Sequence, residues 1–367
     1  MSEVKVRKGK ILVYRFYEIG SEVDLAKAKS TMELKQNTTR FRLDRAGKSA
    51  MVIATEPLTV HLGPSEVSLG SSKTVAEVDL RVWNYGGASI CFHIPLPEGI
   101  SWDELVVLAS WLERDQQLDE LARVKMRDFQ KEITAAIPVA NEWATYEDYV
   151  VYYFQEVEGI PDGAMQLFDK VVVSSLLLAE PKEKLSEQIR RGIRDSVLQY
   201  STHDMALIDW NSALVIEPSG SMDVPMVLEF ANSQLLEMRY YDDLLDEKLD
   251  ALYKSVAGHR PGILSNAYSR LGEEAGQIYL EIAEVVENVE NSLKVVGDFY
   301  LATVFRTASS RFRFKDWQTS IDGKLGNLAE VSKLLHSQVS ESRSHWLEII
   351  IIALIAVELI PFVKGLF

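Results

Sequence analysis

AEVDLRVWNYGGASICFHIPLP, residues 76–97, decides the fold class of the first part of the chain. Val78, Leu80 and Val82 alternate with polar neighbours, the pattern of a strand with one face in a core. Asn84-Tyr85-Gly86-Gly87 supplies turn chemistry, and 88–94 returns as a second β-type run, so the stretch predicts a hairpin. Directly after it, SWDELVVLASWLERDQQLDELARVKMRDFQKEI opens on Ser101 with Glu104 three residues on. That spacing is a capping box at the head of a long amphipathic helix. Hairpin and capped helix together predict mixed α and β structure.

The same alternation extends to both sides. ILVYRFYEI (11–19), rich in aromatic and branched residues, reads as a strand. A helix follows, with Val23, Ala26, Ala28 and Met32 on one side and Ser21 as its N-cap, Asp24 lying three residues on. Short strands are expected at 39–43, 50–54 and 57–62, closed by Gly63-Pro64. Further along, YEDYVVYYFQEVEG is strongly β-type, and KVVVSSLLLAE reads as a buried strand with a helix as the alternative. EKLSEQIRRGIRDSVLQY steps by four through Leu185, Ile189, Ile193 and Val197, as a helix does. MALIDWNSALVIEP reads as two strands around 209–211. The order of elements resembles that of the first half without a residue-level repeat.

From Met226 the periodicity changes. Leu228, Ala231, Leu235, Met238, Leu245, Leu249, Leu252 and Val256 recur in steps of three and four, broken only by Asp242. A second seam runs through Leu271, Ala275, Ile278, Ile282, Val285 and Val289, and a third through Ile321, Leu325, Leu328, Leu335 and Val339. Such seams predict coiled-coil-like packing, between chains or within a helical hairpin. The charges of LEMRYYDDLLDEKLD read as a solvated face. TASSRFRFK reads as a turn, and its Arg311, Arg313 and Lys315 form a basic patch suited to RNA or anionic lipid, with a plain helix connection as the alternative.

The third seam runs into HWLEIIIIALIAVELIPF (345–362), the most apolar stretch of the chain. From Trp346 to the end there is room for about 33 Å of helix, just over a ~30 Å hydrocarbon core. Trp346 and Lys364 stand where interfacial anchors belong. Glu358 argues against a lone membrane helix and for self-association. The contact residues read from the seam phase are Trp346, Glu348, Ile349, Ala353, Ala356, Glu358 and Ile360.

Composition narrows the function classes. The chain has 367 residues, 47% hydrophobic and 25% charged, with a net charge of -15, which disfavours DNA as a partner. The single cysteine, Cys91, excludes a disulfide within the chain. RAGKSA (45–50) carries Gly-Lys-Ser but lacks the opening glycine of a phosphate loop. Among six histidines none is spaced for a metal, and His203-Asp204 reads as a turn with a local hydrogen bond. No cofactor, metal or catalytic residue is predicted. The basic start, MSEVKVRKGK, leads into an apolar run too short for a signal peptide, and no import leader precedes it.

SRSHWLEIIIIALIAVELI resembles the closing signature of the Required for Meiotic Nuclear Division (RMD) family through Arg343, His345, Leu347-Glu348, the isoleucine run 349–352 and Glu358. VWNYGGASICFHIPLPEGISWDEL and YRFYEIGSEVDLAKAKSTM are similar to that family's hairpin and opening strand and helix. RTASSRFRFKDW stands where the family carries a Thr-Pro-Asp-aromatic stretch. The resemblance implies a membrane-anchored, oligomer-forming protein, with a link to translation through the family's mitochondrial member, and no catalytic residues.

The expected architecture is therefore α+β. Residues 1–135 and 136–225 form two related α/β units of a head, 226–345 a helical stalk, and 346–367 one C-terminal membrane helix. The expected role is a tail-anchored homo-oligomeric scaffold or tether at a bacterial inner membrane, its bulk in the cytoplasm, with a protein or ribonucleoprotein partner. The alternatives are a soluble coiled-coil regulator and an enzyme with an unrecognised site in the head.

Overall fold

The computed structural model describes residues 3–33, 38–40, 56–70, 72–114, 116–140, 146–180, 186–258, 267–292 and 298–364. The chain is a mixed α and β protein with one large sheet and many helices. The strands are β1 (Lys5–Glu18), β2 (Thr38–Arg40), β3 (Leu58–Leu69), β4 (Ser72–Val82), β5 (Gly87–Pro95), β6 (Ile100–Ser101), β7 (Tyr146–Glu158), β8 (Val197–Leu198), β9 (Met205–Ile208) and β10 (Ser212–Ile216). Among the described residues the sheet order is β2-β3-β4-β5-β1-β7-β10-β9-β8, with β6 pairing β1. All pairs are antiparallel except β7 with β10, which is parallel. Strands from 136–225 thus extend the same sheet that β1 to β5 begin.

β1 lies at the centre, and from Ile11 onward it is buried on both faces, where all its residues but Arg15 and Glu18 are apolar or aromatic. Ile11, Val13, Tyr17 and Ile19 belong to the main core. That core also takes in buried residues of α1 (Leu25–Glu33), α2 (Trp102–Leu112), α3 (Gln116–Glu132) and α5 (Val173–Leu177). Arg15 points to this side and is held at α3 by Asp119, 2.5 Å from its Nε. The capping box is formed: the Glu104 N–H donates to Ser101 Oγ at 3.4 Å, and the Ser101 N–H donates to Glu104 Oε2 at 3.0 Å. The hairpin is also formed. At its turn Gly86 adopts φ +107, and a Cβ there would meet the Gly20 carbonyl oxygen at 1.6 Å.

Two compact units are present, Met1–Tyr240 with Asn288–Lys315, and Tyr241–Glu287 with Asp316–Phe367. The first holds the sheet, the short helices α4 (Leu167–Lys170) and α6 (Glu187–Arg194), the first part of α7 (Asp223–Gly258), and α9 (Phe299–Arg311). Here Phe305 packs on Phe230, and Phe312 stands edge-on to Tyr149 of β7. The second unit holds the rest of α7, most of α8 (Ala267–Ser292) and nearly all of α10 (Phe314–Lys364). Leu245, Leu249, Leu252, Ala275, Ile282, Ile321, Leu325, Leu328 and Leu335 are buried, as the seams require. Asp242, the break in the first seam, is also buried. It accepts from Ser320 Oγ at 2.7 Å and pairs with Lys324 Nζ at 2.9 Å; Lys324 reaches Asp246 as well, at 2.7 Å.

Several expectations are corrected. The helix after β1 is capped by Asp24, not Ser21: Asp24 accepts from the N–H groups of Ala26 and Lys27, and α1 starts at Leu25. KVVVSSLLLAE holds the helix α5 rather than a strand; a short apolar run has no periodicity that separates the two. The long helix after Ser101 is two helices, α2 and α3. The charged face read along 236–250 is solvated at Asp243, Asp246, Glu247, Lys248 and Asp250, but Glu237 and Asp242 are buried, as is every residue of 227–238. The expected strand 50–54 and RAGKSA lie outside the described residues.

The C-terminal membrane helix is corrected as well. Among the described residues no helix is long and apolar enough to cross a membrane. The uninterrupted apolar run, 349–357, spans only about 13 Å of helix, under half of a ~30 Å hydrocarbon core. It is part of the single 51-residue α10 rather than a separate segment. The single-pass anchor and the inner-membrane location are therefore not supported.

Candidate functional site

The second face of the sheet carries an unusual share of polar side chains. Along β4, Glu77, Asp79 and Arg81 occupy alternate positions; along β5, Ser89, Cys91 and His93 do so. The register puts Asp79 opposite Cys91 and His61, and Arg81 opposite Ser89 and Thr59. On β1, Glu18 faces Gly87, Phe16 faces Ser89, Tyr14 faces Cys91 and Leu12 faces His93. The buried polar residues Glu229, Asn232, Ser233, Gln234 and Glu237 of α7 cover part of this face. Antiparallel strands place opposed side chains within touching distance, so stretches of four strands and one helix gather these polar groups into one network.

At one end, Asp79 bridges two histidines. His61 Nδ1 lies 2.5 Å from one carboxylate oxygen, and His93 Nε2 lies 3.1 Å from the other. Lys10 Nζ stands 3.4 Å from His93 Nδ1 and over the Tyr153 ring. Cys91 beside it, and then the Asp79 carboxylate, hold the His93 imidazole up to about 9 against the effect of burial. Burial pushes Asp79 upward, but His93 and His61 overcome this and hold it down to about 2. His61 is half exposed and sits beside a bulge between His61 and Gly63. With Nδ1 fixed by Asp79, Nε2 is the His61 nitrogen available for proton transfer. Cys91 is buried, which denies a substrate access to its thiol.

In the middle, Glu229 of α7 accepts from Ser89 Oγ at 2.5 Å and pairs with Arg81. At the other end Glu18 and Glu237 meet under the hairpin turn, and Tyr85 and Ser233 share a hydroxyl–hydroxyl hydrogen bond at 2.7 Å. Arg239 pairs with Glu147 of β7. Burial still raises that carboxyl, to about 7, with Arg239 pulling down and Asp148 pushing up. No group of three or more metal-ligating side chains occurs among the described residues. Two surface cavities, about 240 and 480 Å³, are lined by none of these residues.

Of the residues singled out in the sequence, Arg311 ends α9, Arg313 takes a left-handed backbone at φ +59, and Lys315 lies in the first turn of α10. The patch therefore connects two helices. His203-Asp204 is a turn in which Asp204 accepts from the N–H groups of Tyr200 and Ser201 at 2.7 Å. Glu348 and Ile349 are exposed. The side chains of Trp346, Ala353, Ala356, Glu358 and Ile360 lie outside the described residues. Sequence reading missed the network on the second face. Its signal was the run of polar residues at 77, 79, 81, 89, 91 and 93, whose partners only the strand register supplies.

A comparison with known proteins corrects the family. The profile described as "Uncharacterized protein MJ0711, N-terminal domain" matches residues 8–223. Uncharacterized protein MJ0711 of Methanocaldococcus jannaschii is 22% identical over 251 residues, covering 67% of this chain and 75% of that protein. No solved structure matches the chain. The RMD resemblance is overturned by this match, and with it go the bacterial-type membership and the implied link to translation. The matched segment runs from β1 to the first residue of α7 and includes every strand on which the network is built, and on that match the chain belongs to the MJ0711 N-terminal-domain family.

Proposed function

We propose that the chain is a self-assembling scaffold, in which α10 joins several copies and the α+β sheet unit is what they display. One observation carries the reading. Ile349, Ile350, Ile351, Ile352, Leu354 and Ile355 are each 47–64% exposed in the single chain. Successive helical residues are about 100° apart, so four consecutive isoleucines encircle the helix. Covering the exposed half of six such side chains is worth on the order of 5–9 kcal/mol per copy. A second copy is the occupant that fits, because this run continues the buried seam of Ile321, Leu325, Leu328 and Leu335 on the same helix. One partner helix covers one side only, so apolar residues all round call for more than two copies.

The test is co-purification of two differently tagged full-length copies expressed together. The wild-type copies co-purify, and Ile350→Glu with Leu354→Glu abolishes this. Tags that never co-purify, or that do so equally with both glutamates present, overturn the reading.

A further inference from the structure

Glu18 on β1 and Glu237 on α7 are 2% and 0% exposed, and their carboxyls are within hydrogen-bonding reach of each other. The Gly20 backbone N–H favours the charged form of Glu18, as the smallest of the influences on it. The elements packed around the pair are β1, the turn between β4 and β5, and α7. From the turn, Tyr85 faces both carboxyls; burial drives its phenol far upward, so it stays neutral. From α7, Ser233 and Gln234 approach Tyr85. Among the described residues no cation acts on either carboxyl. Further along α7, Arg239 pairs with Glu147 of β7.

The turn is shaped for these two groups. A Cβ at Gly86 would come within 2.5 Å of Glu18 Oε1, and one at Gly87 within 3.2 Å of Glu237 Oε1. If both carboxyls were ionised, two buried like charges would face each other and all four side-chain oxygens would want a donor. One proton resolves this, because an acid O–H donating to a carboxylate is a strong, charge-assisted bond.

We propose that Glu18 and Glu237 share one proton, and that this proton fastens the first part of α7 to the sheet, so that the contact loosens as the solution becomes alkaline. Burial and the second carboxyl push Glu18 well above the usual carboxylate range, and burial pushes Glu237 up to about 7. A carboxyl raised in the folded state favours folding at low pH. That advantage begins to be lost above the unfolded value of 4.5 and goes on falling as pH rises through about 7.

The test is thermal unfolding of the full-length chain from about pH 5 to about pH 9, for wild type, Glu237→Gln and Glu18→Gln, with Glu147→Gln as the control for the neighbouring carboxyl. An amide in place of one carboxyl keeps the hydrogen bond and removes the need for the proton. Both pair variants therefore flatten the alkaline fall, and above about pH 8 they melt roughly 5–10 °C higher than wild type. Infrared spectra in D2O at neutral pH show a protonated-carboxyl band that Glu237→Gln diminishes. Pair variants that follow the wild-type melting temperature at every pH overturn the proposal. So does the absence of that band, or the failure of both variants to fold at any pH.

Discussion

Replacing Arg81 by Met removes the guanidinium from Glu229 and leaves the rest of the second face in place. The Glu229 side chain is 1% exposed and that of Arg81 13%, so water cannot substitute. At an effective dielectric near 20 the attraction of such a pair at about 3 Å is roughly 5–6 kcal/mol, most of it offset by desolvation. Breaking a buried pair from one side costs about 3–5 kcal/mol, because the remaining charge stays buried. Ser89 still donates to Glu229, which favours the low end, about 3 kcal/mol. For a unit of this size that is a loss of roughly 6–12 °C in melting temperature. The assay is urea and thermal unfolding of Arg81→Met, Glu229→Met and the double variant. The double variant recovers to within about 1 kcal/mol of wild type, since two apolar side chains of similar length replace the pair. A loss under about 1 kcal/mol for Arg81→Met, or a double variant as weak as the sum of the two singles, refutes the reasoning.

Gly86→Ala abolishes soluble expression or lowers the melting temperature by more than 10 °C (roughly 3 kcal/mol or more), because its Cβ has no room beside the Gly20 carbonyl. Gly63→Ala, also at positive φ but with open space around it, costs only about 1 kcal/mol, and circular-dichroism melts distinguish the two. An NMR titration of the His93 ring is expected to give a midpoint near 9 rather than 6.5. Its raised value means a stabilisation that is full below about 6.5 and lost as pH rises through about 9, and His93→Gln removes that part of the alkaline fall. Asp79, held down to about 2, contributes the opposite limb: its stabilisation is full above about 3.8 and lost as pH falls through about 2.

The parts of this fold that were legible in the sequence are those fixed by local chemistry. The 84–87 turn, the Ser101–Glu104 box and the strands around 209–211 each rest on residues close in the chain, and each forms. The seams were legible because a helix repeats its buried side every three or four residues, and Leu245, Leu249, Ile321 and Leu328 are all buried. Asp242 stood out as a fault in the seam; its partners, Ser320 and Lys324, come from a different helix. What was not legible depends on register or on distant pairing. His61, Asp79 and His93 meet only because β3, β4 and β5 align one particular way, since a slip of one residue would send them to opposite faces. Glu18 and Glu237 lie near opposite ends of the 1–240 segment of the first unit, and nothing local to either announces the other. Of the α7 charges, Asp243, Asp246, Glu247, Lys248 and Asp250 are exposed as read, and Glu237 and Asp242 are the buried exceptions. A polar helix face reads as solvated unless a polar sheet face is known to lie against it.

The measurement that bears most directly on the scaffold reading is the mass of the full-length chain by light scattering coupled to size exclusion, without detergent. One chain weighs 41.4 kDa. The account predicts a discrete species of more than two copies, and a single-chain mass for the variant carrying Ile350→Glu and Leu354→Glu, with unchanged helical content. A wild-type chain that runs as a monomer, or that is recovered only when detergent is present, contradicts it.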